Sequence, residues 1–205
     1  MKRLRCLMLT VCLLSGMLAG CGSVDSDSTI VSVGKKGMIT TIDVEDFEQD
    51  YYTEEDFKAF AEDAINTYNM SHEVDVVTLS EFTVTDGVAK LKMEFKSAED
   101  YAGFNGIPLF QGTIVDAVAA GYKFEGTFSA VEKGEVTGSA TKTEILADAD
   151  LKVVIIQANT DVQVAGKICF VSNQNVTVTA KDIVSIRDAE NPALESEVLT
   201  YIVYK

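Results

Sequence analysis

The dipeptide Asp86-Gly87 lies between two β-prone runs, and the run after it alternates without a break. Ala89, Leu91, Met93 and Phe95 take one phase; Lys90, Lys92, Glu94 and Lys96 take the other. No other feature restricts the fold as much. Period-two alternation sends one row of side chains into a core and the other into water, which describes an antiparallel strand covered on one face. Asp-Gly suits the positive-φ turn that closes a two-residue hairpin. A sheet with one apolar face must be covered, so helices are expected beside it.

Thr53-Glu54-Glu55-Asp56 has the form of a capping box. Phe57, Phe60, Ala61, Ala64, Ile65 and Tyr68 then recur at helical spacing, which predicts an amphipathic helix over 54–69 with its apolar stripe inward. Glu54, Glu55 and Asp56 sit where the helix dipole favours anions. Ser97-Ala98-Glu99-Asp100 predicts a second, short helix. Pro108 opens a third helical run to Ala120, stopped by Gly121. Strands are expected over 122–129 and 135–141, joined at Lys133-Gly134, with a helical turn over 144–149. The last third reads as strands over 151–158, 161–171, 176–186 and 198–204, with turns at 173–175 and 190–192. Leu199 to Tyr204 is apolar on both faces and is expected paired inside a sheet.

The sum is an α+β fold, a mainly antiparallel β-sheet with two or three helices packed on one side. Residues 38–205 read as a single acidic domain; a subdivision, if present, falls near 148–150.

The start of the chain is of another kind. Lys2, Arg3 and Arg5 precede an apolar run from Cys6 to Leu14, and small residues follow at Ser15, Gly16, Ala19 and Gly20. That is the layout of a secretory signal, and the apolar run is shorter than the ~20 residues a membrane-spanning helix needs. Leu18-Ala19-Gly20-Cys21 resembles the lipobox of bacterial lipoproteins at all four positions, a resemblance confined to residues 1–21. It implies that residues 1–20 are a removed signal peptide and that Cys21 is lipidated, with palmitate-type acyl chains as membrane anchor. Two acyl chains hold stably where one does not. The implied location is the extracytoplasmic face of the cell membrane. Gly22 to Thr29 has the small, polar composition of a flexible tether, reaching on the order of 15–20 Å. Gly34-Lys35-Lys36-Gly37 continues that character, so the tether is expected to occupy 21–37.

Past residue 20 the chain carries 14 basic residues against 32 acidic ones, a formal charge of −18, and Arg187 is its only arginine. Nucleic acid binding rests on clustered Lys and Arg against phosphate, so that class is excluded. Bidentate anion capture by arginine clusters is excluded as well. Cys6 and Cys12 leave with the leader and Cys21 takes the lipid. Cys169, within the apolar run Ile168 to Val171, is then the last thiol and is expected to act as a small hydrophobe.

Catalytic sets are hard to assemble from what remains. His72 is the only histidine; it follows the first predicted helix, where an imidazole commonly caps carbonyls. Ser32-Val33-Gly34-Lys35 and Ser139-Ala140-Thr141-Lys142 fit a Ser-x-x-Lys pattern, but its companion motifs are absent and both read as chance. Zinc would need more His and Cys than the chain offers. Calcium is the metal the composition permits, with Asp148-Ala149-Asp150 and the acidic stretch Glu45 to Asp56 as places to look; neither forms an EF-hand-type loop, and both read as solvated faces. No catalytic, cofactor or metal residue is therefore assigned; the one assigned site is lipidation at Cys21. The expectation is a lipid-anchored envelope protein with a binding or adaptor domain. Its partners are the membrane, through the lipid, and an unidentified protein or small molecule. The alternatives are an envelope hydrolase or a small-ligand or cation-binding domain.

Overall fold

The computed structural model describes residues 26–47, 52–188 and 195–205. Cys21, residues 48–51 of the acidic stretch and the turn expected at 190–192 lie outside them. The described chain runs β1 (Ile30–Val33), β2 (Ile39–Asp46), α1 (Glu54–Asn69), β3 (Val77–Thr85), β4 (Val88–Phe95), α2 (Ala98–Asn105), β5 (Leu109–Thr113) and α3 (Ile114–Ala119). It continues with β6 (Phe128–Glu132), β7 (Glu135–Ala140), α4 (Lys142–Leu146), β8 (Lys152–Ala158), β9 (Asp161–Val164), β10 (Ile168–Ser172), β11 (Val176–Ala180), β12 (Ile183–Ile186) and β13 (Glu195–Tyr204).

The α+β class and the antiparallel bias hold. The strands form two sheets, ordered β11-β12-β9-β1-β2-β4-β3 and β5-β8-β13-β10-β6-β7. Among the described residues, only β1 and β9 pair in parallel. Two sheets follow from β8 and β13, which are apolar on both faces. Val154, Ile156, Ala158, Ile202 and Tyr204 meet Val31, Val33, Ile39, Phe95 and Val162 of the first sheet in one core. Val153, Ile155, Tyr201 and Val203 face a second core with Ile114, Ala117, Phe124, Phe128 and Ile145. A sheet with two apolar faces needs two covers. The helices divide accordingly: Ile65 of α1 and Tyr101 of α2 enter the first core, α3 and α4 the second.

The local signals hold where they are complete. Asp86 and Gly87 have φ of 52° and 77°, and β3 and β4 pair across them. Thr53 caps α1 with Asp56 in a capping box, and Ser97 caps α2. Gly121, at φ 92°, ends the helix before it.

Five expectations are corrected. Residues 30–33, placed in the tether, are β1, in the interior of the first sheet with Val31 and Val33 buried. The β-branched Ile-Val-Ser-Val run outweighs its Gly-Lys-Lys-Gly flank, which is the β1–β2 turn. Residues 108–120 are not one helix. Leu109 to Thr113 pair with β8, and Thr113 then caps a helix of six residues with Asp116. Residues 122–127 are irregular, since Gly126 adopts φ 106°, and the strand begins only at Phe128. The run 161–171 breaks at 165–167 into β9 and β10, which belong to different sheets. A Cβ at Gly166 would run into the carbonyl of Lys205, and Lys167 N–H donates to that same oxygen at 2.7 Å. Finally, Phe60 is 73 % exposed and stands off the buried stripe of α1.

Candidate functional site

The region nearest the expected anchor is built by the segment before β1. Thr29 Oγ1 accepts from Val44 N–H at 3.0 Å, and Thr160 Oγ1 donates to the Thr29 carbonyl at 3.2 Å. Ser28 Oγ donates to Asp161 Oδ2 at 3.0 Å. Lys90 Nζ reaches both the Ser26 carbonyl, at 3.1 Å, and Asp27 Oδ1, at 2.6 Å. Residues 26–29 therefore form a clasp on the first sheet and not free tether. Arg187 closes the neighbouring strand end by donating to Asp161 Oδ1 at 2.8 Å. The ammonium beside Asp27 holds its carboxyl below the usual range.

A second feature lies on the inward face of β2. Pairing sets Ile39, Thr41 and Asp43 opposite Phe95, Met93 and Leu91, so Asp43 falls in the core phase of the strand. Thr41, itself buried, donates from Oγ1 to Asp43 Oδ2 at 3.3 Å. Burial pushes the Asp43 carboxyl up to about 6, against the smaller opposing effect of the Thr41 bond. Burial also raises the Tyr101 phenol, and the negative charge of Asp43 adds to that. Half-buried Asp43 is the most strongly shifted carboxyl among the described residues. The alternation of β2 was the signal that could have marked it: Ile39, Thr41 and Asp43 share one phase.

The residues singled out from sequence are not brought together. His72 Nδ1 lies 3.0 Å from the Tyr68 carbonyl and its ring stacks at 4.8 Å on Tyr68, so it caps the end of α1 as expected. Cys169 is half-buried, with its thiol raised by burial and directed at the Lys167 carbonyl. Asp56 is held in the α1 capping box by Thr53. Asp148 accepts from Asp150 N–H in an exposed turn. Ser32 bonds Gln163 on the neighbouring strand, while Ser139 is exposed on β7. Among the described residues no three His, Cys, Asp or Glu side chains converge as a metal-holding group. Tyr52 joins Phe47 and Phe57 in a ring cluster that continues to Phe82, so the described part of that segment seats α1 on β3.

A surface groove of about 490 Å³ opens where the β1–β2 turn, the start of α2 and β5 meet. Lys36, Lys96 and Glu99 line it, with Leu109, Phe110 and Gln111 as its wall. Sequence gave no sign of it, because its lining comes from three separate segments. Asp43, His72 and Cys169 are not in its lining. Compared with known proteins, the chain matches no family model, no curated protein and no solved structure. Function must then be argued from the chemistry of these places.

Proposed function

We propose that this chain is a lipid-anchored protein of the cell envelope, held at the extracytoplasmic face of the membrane through Cys21. Its acidic α+β domain binds another molecule or serves as an adaptor. The observation that carries the reading is Leu18-Ala19-Gly20-Cys21 at the end of a basic, then apolar leader. The binding part is supported by where the reactive groups are spent. The only histidine is a helix cap on Tyr68, and the Cys169 thiol is pushed away from the thiolate by burial.

Two measurements on the expressed chain test the anchor. Intact mass of the mature protein is expected to show loss of residues 1–20 and added acyl mass at Cys21. Cys21→Ser is expected to abolish the added mass and move the protein out of the membrane fraction. A wild-type chain that retains residues 1–20, or that fractionates like the serine variant, refutes the reading.

The groove supports a second reading, a small-ligand domain. Two lysines beside Leu109 and Phe110, with Glu99 and Gln111 in the same lining, suit a small ligand with an anionic group, a hydrogen-bonding group and an apolar part. A thermal shift with such a ligand that disappears in Lys36→Ala/Lys96→Ala would favour it, since a ligand bound only to the folded state raises the melting point.

A further inference from the structure

We propose that the groove takes the C-terminal end of an extended peptide, added as a short strand to the free edge of β5 with its carboxylate toward Lys36 and Lys96. The inference rests on the small-ligand reading of the groove and names its occupant. What carries it is a row of β5 backbone groups without partners, in the wall of a groove whose cations stand at one end.

β5 is the outermost strand of the second sheet and pairs with β8. Gln157 N–H donates to the Pro108 carbonyl and Ile114 N–H to the Leu151 carbonyl, and these two bonds fix the phase of the ladder. Antiparallel pairs alternate between hydrogen-bonded and non-hydrogen-bonded residues. Phe110 and Gly112 therefore bond β8, while Leu109 and Gln111 turn their N–H and C=O groups away from it. No group among the described residues bonds those four. Leu109 is buried, where an unpaired backbone group is costly, so a partner in the groove is favoured.

Leu109, Phe110 and Gln111 all line the groove, and Ala98 and Ala102 of α2 share the lining. Successive side chains of a strand leave on opposite faces, so what three consecutive residues share is the strand's edge. The groove runs along that edge. The accessible edge is short. Pro108 has no N–H and its carbonyl is taken by Gln157, and Thr113 N–H is taken by Asp116 Oδ2 at 3.0 Å. Two outward-facing residues suit the end of a chain better than a segment passing through.

Charge sets the direction. Ile39 lies opposite Phe95, so the turn carrying Lys36 and the segment Lys96-Ser97 leave the first sheet side by side. Gly37 meets β5 at its Gln111 end, where a Cβ would lie 3.1 Å from Gln111 Oε1. Lys36 and Lys96, both exposed, stand at that end, and Glu99 in the same lining leaves one net positive charge. The carboxylate is placed there, the peptide runs parallel to β5, and its apolar side chains meet Leu109, Phe110 and Ala102. In strand addition the main-chain bonds supply affinity and the side-chain contacts supply selectivity.

The test is hydrogen exchange with residue resolution on the acylated full chain in detergent micelles. Without peptide, the Leu109 and Gln111 amides are expected to exchange faster than those of Phe110 and Gly112. A pool of N-acetylated tetrapeptides of Val, Thr and Ala with free C-termini is expected to slow Leu109 and Gln111 about tenfold and leave Phe110 and Gly112 unchanged. The same pool with C-terminal amides is expected to slow them several-fold less, and Lys36→Ala/Lys96→Ala to erase the difference between acid and amide. Protection of Leu109 and Gln111 before peptide is added, no slowing by the free-acid pool, or an acid–amide difference that survives the double variant overturns the proposal. Equal slowing by amidated peptides with an internal Glu overturns the chain-end assignment. A Lys36- and Lys96-dependent melting shift with 4-hydroxybenzoate, with no slowing by any peptide, keeps the small-ligand reading and overturns this one. Neither shift nor slowing overturns both.

Discussion

Replacing Asp43 by Asn is expected to stabilise the fold at neutral pH and to leave it unchanged in acid. In the folded state burial raises the carboxyl from 3.8 to about 6. The folded protein therefore holds this proton more tightly than the unfolded chain does. Below about pH 4 both states carry the proton and the residue costs nothing. As pH rises from about 4 to 6 the unfolded chain releases its proton first, and stability falls. Above pH 6 both states are ionised and the full penalty applies. The change from 3.8 to about 6 corresponds to ~3 kcal/mol at most. Asp43 is not fully sequestered, so about 1–3 kcal/mol is the working range. Asn keeps the shape and an oxygen for the Thr41 hydroxyl, but carries no charge into the core. For a domain of this size each kcal/mol moves the melting point by about 2–4 °C. Paired thermal or urea melts of wild type and Asp43→Asn across pH 3.5–8 read the difference directly, because other carboxylates cancel between the two proteins. The expected result is a gain of about 2–12 °C above pH 7 that vanishes below about pH 4. A gain independent of pH, or a loss of stability at pH 7.5, would show that Asp43 is solvated or paired in a way that contradicts the geometry.

Two further substitutions probe the joints of the fold. Gly166→Ala places a methyl against the Lys205 carbonyl at the crossing between the sheets, and is expected to cost about 1–3 kcal/mol in urea unfolding; an unchanged midpoint would mean that the C-terminus yields freely. Asn69 joins the end of α1 to β3, its Oδ1 accepting from Val76 and Val77 N–H and its Nδ2 donating to the Val77 carbonyl at 2.8 Å. Asn69→Ala is expected to cost about 2–3 kcal/mol, since Val77 is buried and its amide group loses its partner, and a loss below about 0.5 kcal/mol would refute that role.

What was legible in the sequence is what neighbouring residues determine. The Asp86-Gly87 and Lys133-Gly134 turns need only two adjacent residues able to take positive φ, and both are where expected. The caps at Thr53 and Ser97 need only a hydroxyl three residues before an acid. The same pattern stands at Thr113-Ile114-Val115-Asp116 and Thr141-Lys142-Thr143-Glu144, and each forms a capping box. Reading it at 113 would have separated β5 from α3. Other features were illegible because their causes are distant in sequence. The break between β9 and β10 depends on the approach of Gly166 to Lys205, and no local composition announces it. The two-faced burial of β8 and β13 was visible as apolar runs. That it demands a second core, with helices on both sides, follows only once those strands are known to be neighbours.

The misread tether carries the largest structural consequence. Ser, Asp and Thr from 26 to 29 have the composition of a linker, and in isolation would behave as one. Here the same polar side chains are hydrogen-bonding groups used at short range, to Lys90, Asp161, Val44 and Thr160. Composition describes what a segment does in water; it does not describe what it does when a sheet offers partners in register. Residues 26–29 are thereby part of the folded sheet, held through Lys90, Asp161, Val44 and Thr160, and the linker-like composition before Ile30 does not mark where the fold begins.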